Sequence, residues 1–94
     1  MIKSFVCKDT EKIWNGEITR RWSLELQNRA LVKLRLVDAA ETFDDLKKPP
    51  GNRPEYLKGD RLGQISVRIN DQWRLCFSMK NGEVSAVEMV DYHR

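Results

Sequence analysis

Arg74, Asp91, Tyr92 and His93, with Glu55 and the cations Lys58, Arg61 and Arg68, are the residues of this 94-residue chain whose types could do chemistry together. Cutting a phosphodiester through its neighbouring 2′-hydroxyl needs a base for the hydroxyl proton, cations or N–H donors where charge builds on the phosphate, and an acid for the departing oxygen. Carboxylate, imidazole, phenol and several Arg or Lys side chains supply those roles without a metal. No His, Cys and carboxylate spacing resembles a metal site, no glycine-rich loop has phosphate-cradling spacing, and no serine and histidine stand as a nucleophile pair. No metal and no organic cofactor is therefore expected. Each residue also has a plainer reading: loop cations are usually solvated, a strand arginine usually pairs across a sheet, and a histidine near a chain end is commonly idle. On physics alone the residues describe a small α+β domain with a basic sheet edge.

The charge is concentrated where those residues lie. Lys47, Lys48, Arg53, Lys58, Arg61, Arg68 and Arg74 stand against Glu55, Asp60 and Asp71, which places the whole of the net charge of +3 in residues 47–74. A pI near 9.0 favours an anionic partner, weakly. With 40% hydrophobic and 33% charged residues the composition is that of a globular protein, and the length suits one domain over residues 1–94. Charge interrupts the first residues too early for a signal peptide, and no apolar run reaches membrane-spanning length, so a cytoplasmic protein with no membrane partner is expected. Cys7 and Cys76 have no partner spacing for zinc or a redox pair and read as small strand hydrophobes.

Several elements must position these groups. Residues 2–7 read as a first strand, and Asp9-Thr10-Glu11 as the start of a brief helix ending near Asn15-Gly16. A longer helix is expected from about Thr19, with Leu26, Ala30, Leu34 and Val37 forming one apolar stripe and Lys33 among its solvated charges. Residues 39–46 extend that helix or make a short turn with Phe43 and Leu46 tucked under, and Pro49-Pro50-Gly51 stops it. A surface loop over residues 52–60 follows. Alternating apolar residues then predict strands at 64–70, 73–79 and 84–92, the last two joined by the hairpin signal Asn81-Gly82.

That turn fixes a register if the ladder is regular. Lys80 faces Glu83, and counting back sets Arg74 opposite Met89, Cys76 opposite Val87 and Gln72 opposite Asp91. Asp91 and His93 then share a face with Arg74, and Tyr92 points to the other. A bulge would change that.

At these residues the sequence resembles the HigB-type (plasmid maintenance killer) toxins of the RelE/ParE superfamily. The similar blocks are Ile2-Lys3-Ser4-Phe5 with Cys7-Lys8-Asp9, Leu34-Arg35-Leu36-Val37-Asp38-Ala39-Ala40, Pro49-Pro50-Gly51-Asn52-Arg53 and Leu57-Lys58-Gly59-Asp60-Arg61. Two more are Ser66-Val67-Arg68-Ile69-Asn70-Asp71-Gln72-Trp73-Arg74 and Val90-Asp91-Tyr92-His93. The resemblance implies a small antiparallel-dominated sheet packed against two N-terminal helices, and a ribosome-dependent endonuclease that cuts mRNA in the decoding site. It further implies neutralisation by a HigA-like helix-turn-helix antitoxin, with operator DNA bound only through that complex. By the same resemblance Asp91, Tyr92 and His93 match the catalytic segment, Arg74 the arginine that holds the scissile phosphate, and Lys58, Arg61 and Arg68 the RNA-contacting surface. One departure stands out, because many such toxins carry a histidine where this chain has Glu55. A carboxylate can act as base but cannot stabilise the phosphate as an imidazolium does. A ParE-like inhibitor of DNA gyrase, or a weak toxin acting mainly as an antitoxin-binding co-repressor, are the alternatives.

Overall fold

Asn81 and Gly82 both adopt positive φ, 53° and 78°, and so make the tight primed turn that matches strand twist and closes the central hairpin. The computed structural model describes residues 1–48 and 50–92. Its order is α1 (Lys8–Trp14), α2 (Leu24–Ala39), α3 (Phe43–Lys47), a 3-10 turn at Pro50–Asn52, β1 (Glu55–Tyr56), a second 3-10 turn at Gly59–Arg61, then β2 (Gln64–Arg68), β3 (Trp73–Lys80) and β4 (Glu83–Asp91). The strands form an antiparallel sheet in the order β1-β2-β3-β4, each beside its neighbour in sequence.

Leu26, Ala30, Leu34 and Val37 are all buried, as their spacing predicts, and pack with Leu46 against Ile65, Val67, Leu75, Phe77, Val84, Val87 and Met89 of the sheet's inner face. Alternation along each strand leaves the other face free of the helices and carries Glu55, Ser66, Cys76 and Glu88 in one cross-strand row, with Arg68, Arg74 and Val90 in the next. No helix among the described residues is long and apolar enough to cross a membrane.

Five expectations are corrected, four of them local. Helix α2 starts at Leu24, with Ser23 Oγ accepting from Leu26 N at 3.2 Å. Residues 19–22 are instead pinned by Gln27, whose amide accepts from Thr19 N (3.1 Å) and donates to the carbonyls of Thr19 (2.9 Å) and Trp22 (2.7 Å). Asp9 does not cap α1. Its carboxylate accepts from Thr19 Oγ1 at 2.6 Å and lies 3.5 Å from Arg21, and the Thr19 bond holds its pKa below the ordinary carboxylate value. Residues 2–7 are no full strand but touch β4 through two parallel bridges, Ile2–Val84 and Phe5–Val87. The loop at 52–60 contains β1, too short to show a period, with Tyr56 stacked on Phe43 at 4.3 Å between ring centroids.

The register correction matters most. Lys80–Glu83, Met79–Val84 and Ser78–Ser85 pair as counted from the turn, but Cys76 then meets Glu88, Leu75 meets Met89, Arg74 meets Val90 and Trp73 meets Asp91. β4 carries one surplus residue, a bulge at Ala86, whose φ is +56°. Every side chain beyond it changes face relative to a regular ladder.

Candidate active site on the open face of the sheet

Beyond the bulge, Val90 and Tyr92, rather than Asp91, share the face of Arg74. The Arg74 guanidinium lies 5.8 Å from the centroid of the Tyr92 ring. Arg53, Glu55, Arg68, Asn70, Asp71, Arg74 and Tyr92 line an open cleft of about 460 Å³ on this face.

Arg74 is only 9% exposed, and its planar fork is held from behind. Nε donates to Ser66 Oγ at 2.8 Å, and Nη2 donates to the carbonyls of Ser66, at 3.2 Å, and Arg53. These acceptors are all neutral oxygens, and among the described residues no carboxylate lies within ion-pair distance of Arg74. A nearly buried guanidinium oriented by dipoles and with no counter-ion among the described residues attracts an anion, and Nη1, which bonds none of those residues, can offer its donors to one. Arg53 supplies its carbonyl from a left-handed backbone, φ 41°.

Tyr92 is fixed by its own amide, which donates to Gln72 O at 2.6 Å, and its hydroxyl lies 3.8 Å from the buried Cys76 Sγ. Burial, and then Cys76, push the phenol above its ordinary pKa, and burial raises the Cys76 thiol as well. Both groups are protonated at neutral pH, so Tyr92 brings a neutral O–H donor close to Arg74.

The other candidates are distributed more widely. Glu55 is exposed on β1 and faces the cleft opposite Ser66. Arg68 also lines the cleft and donates to Asp71, whose side chain is 99% exposed. Arg61 lies outside the cleft lining: its Nη1 donates to Gln64 Oε1 and Glu88 Oε2, both at 3.0 Å, and the Glu88 bond raises its pKa. It ties the 3-10 turn at Gly59–Arg61 to β4. Lys58, at the head of that turn, is exposed and also outside the lining. Asp91 falls opposite Trp73 and accepts from Gln72 Nε2 at 3.1 Å, not on the Arg74 face as a regular register requires. His93 lies outside the described residues.

Sequence reasoning missed Arg53, Ser66, Asn70 and Asp71. Ser66 carries a legible signal, a small polar residue on the same strand face as Arg68, two positions along. Asn70 has one too, for its Oδ1 accepts from the amides of Gln72 (2.9 Å) and Trp73 (2.8 Å) and shapes the turn that presents Asp71.

The family model of HigB-like toxins, RelE-like toxins of type II toxin–antitoxin systems, matches residues 3–93. The chain belongs to this HigB-like toxin family. The toxin is 41% identical over 69 residues to Toxin HigB-1 of Vibrio cholerae, covering 73% of this chain and 72% of that protein. It is also 31% identical over 97 residues to Endoribonuclease HigB of Proteus vulgaris, with 99% and 100% covered. The fold matches a chain of the YoeB–YefM toxin–antitoxin complex from Staphylococcus aureus, with a TM-score of 0.63 at 19% identity over 100% of this chain and 97% of that one. As a toxin of a two-component system, it has an antitoxin as partner.

Proposed function

We propose that this toxin is a single-domain, metal-independent endoribonuclease that acts in the cytoplasm on ribosome-bound mRNA. The observation that carries the reading is the Arg74 fork, nearly buried, held by neutral oxygens and with no counter-ion among the described residues, at the base of an open cleft. In this reading the scissile phosphate sits on Arg74, with Arg68 and Lys58 along the strand that flanks it. The RNA 2′-hydroxyl gives its proton to a carboxylate, Glu55 rather than Asp71, the other carboxylate of the lining, which is paired with Arg68, and its oxygen attacks phosphorus. Charge accumulating on the phosphate oxygens is met by the preorganised guanidinium. The P–O5′ bond breaks, the departing oxygen takes a proton from Tyr92 or His93, and a 2′,3′-cyclic phosphate remains. Asp91 serves to orient this terminal segment or to relay its proton. Arg61 maintains the loop that presents Lys58.

The partner is a HigA-like helix-turn-helix antitoxin, and the pair binds operator DNA through that protein. The name of the Proteus vulgaris relative, an endoribonuclease, supports the reaction class. Translation of a defined mRNA by purified ribosomes, with 5′-end mapping, tests the reading: new ends are expected only when ribosomes are present. Intact message together with blocked DNA supercoiling by gyrase would overturn it.

A further inference from the structure

The surplus residue of β4 decides which side chain stands beside Arg74, and a segment distant in sequence holds that surplus in place. Ser78 pairs with Ser85 and Cys76 with Glu88, so Phe77 alone spans Ala86 and Val87. Ala86 takes φ +56°, a conformation natural to glycine and costly for a residue with a Cβ. A bulge also takes an amide out of the ladder. Here that amide is satisfied: Ala86 N donates to Ser4 Oγ at 2.9 Å. The backbone of residues 1–6 clasps both flanks. Val84 N donates to Met1 O (2.8 Å), Lys3 N to Val84 O (2.7 Å), Val87 N to Ser4 O (3.1 Å) and Val6 N to Val87 O (3.1 Å). Ser4 is the member of this clasp that meets the bulge with its side chain.

We propose that Ser4 is a positioning residue for the cleft: by holding the bulge at Ala86 it sets the register of the second half of β4 and so places Tyr92 beside Arg74. With Ser4 Oγ removed, the bulge keeps a strained alanine and loses its amide acceptor, and the regular ladder competes. In the regular ladder Asp91 takes the Arg74 face and Tyr92 leaves it. The catalytic consequence rests on reading the cleft as an RNA-cleaving site, whereas the register consequence does not.

The test uses the full chain carrying Tyr56→Phe, which leaves Tyr92 as the single tyrosine. In Ser4→Ala, amide exchange at Ala86 should be about fivefold faster, the worth of one ordinary hydrogen bond. The Tyr92 phenol should titrate closer to a free tyrosine, and kcat for ribosome-dependent cleavage should fall with KM held. Ser4→Thr, which keeps the oxygen, should restore all three. Ala86→Gly in the Ser4→Ala background should restore the titration and kcat but not the amide protection, because glycine adopts the bulge unaided yet brings no acceptor; general loss of stability would not be repaired that way. Parental Ala86 exchange and Tyr92 titration in Ser4→Ala would overturn the proposal. Altered exchange and titration in a protein whose parent cuts no RNA would leave the positioning role standing and defeat the functional reading instead.

Discussion

Arg74 and Ser66 form a unit: the serine hydroxyl accepts from Nε at 2.8 Å and its carbonyl from Nη2 at 3.2 Å, so one buried residue holds two edges of the guanidinium fork. Ser66→Ala leaves the backbone acceptor and orphans Nε in a dry site. An unsatisfied donor of that kind costs about 1–3 kcal/mol. A drop in thermal midpoint with a larger drop in kcat is expected; unchanged kcat would show that Arg74 needs no such support.

Arg74→Lys keeps a positive charge but loses the planar fork and the fixed donor geometry. Its ammonium cannot reach the oxygens of Ser66 and Arg53 and also present two parallel donors to a phosphate. The variant should fold, and its cleavage rate should fall about 10²–10³-fold, the worth of a preorganised donor at the site of developing charge. Comparing single-turnover rates on stalled ribosomes checks this.

Glu55→Gln tests the base. If the carboxylate takes the 2′-hydroxyl proton, the variant should lose about 10²–10⁴-fold in rate while keeping its fold. The alkaline limb of the parent's pH–rate profile tests Tyr92. Burial raises this phenol from 10.0, so a limb that reports it falls above pH 10, and a limb near neutrality belongs to another group.

The second shoulder of α3 gives a pH prediction for stability. Asp45 accepts from the amides of Glu41 (2.9 Å) and Thr42 (3.2 Å), bonds that hold its pKa below 3.8. A depressed carboxylate stabilises the fold above its unfolded pKa and loses that contribution as pH falls through the folded one. Asp45→Asn should therefore lower the melting midpoint at pH 7, and the gap from the parent should close below about pH 3.8. An equal gap at both pH values would contradict it.

What could be read from the sequence follows physical range. The stripe Leu26, Ala30, Leu34, Val37 and the apolar positions Ile65, Val67, Leu75 and Phe77 of β2 and β3 are local periodicities, and each is buried as spaced, although Ser66, Arg74 and Cys76 between the strand positions are buried too. Asn81-Gly82 set the hairpin because both residues tolerate positive φ. The register beyond Ser78 was not legible from the turn, because Ala86 departs from it with help from Ser4, 82 residues away. One trace was present: the buried apolar positions of β4 run Val84, Val87, Met89, an interval of three inside a period of two. β1 escaped because two residues show no period, and Arg53 because its contribution is a carbonyl that Arg74 uses. The cationic loop was visible, yet composition does not tell an arginine tied to Glu88, as Arg61 is, from one facing a cleft.

The most direct test of the central claim is ribosome-dependent cleavage of a defined mRNA by the parent and by Arg74→Ala, with 5′ ends mapped and folding followed by thermal melting. The account predicts discrete cuts by the parent only with ribosomes, and a folded variant that leaves the message essentially intact. A folded Arg74→Ala protein that cuts ribosome-bound message at the parental rate would contradict it.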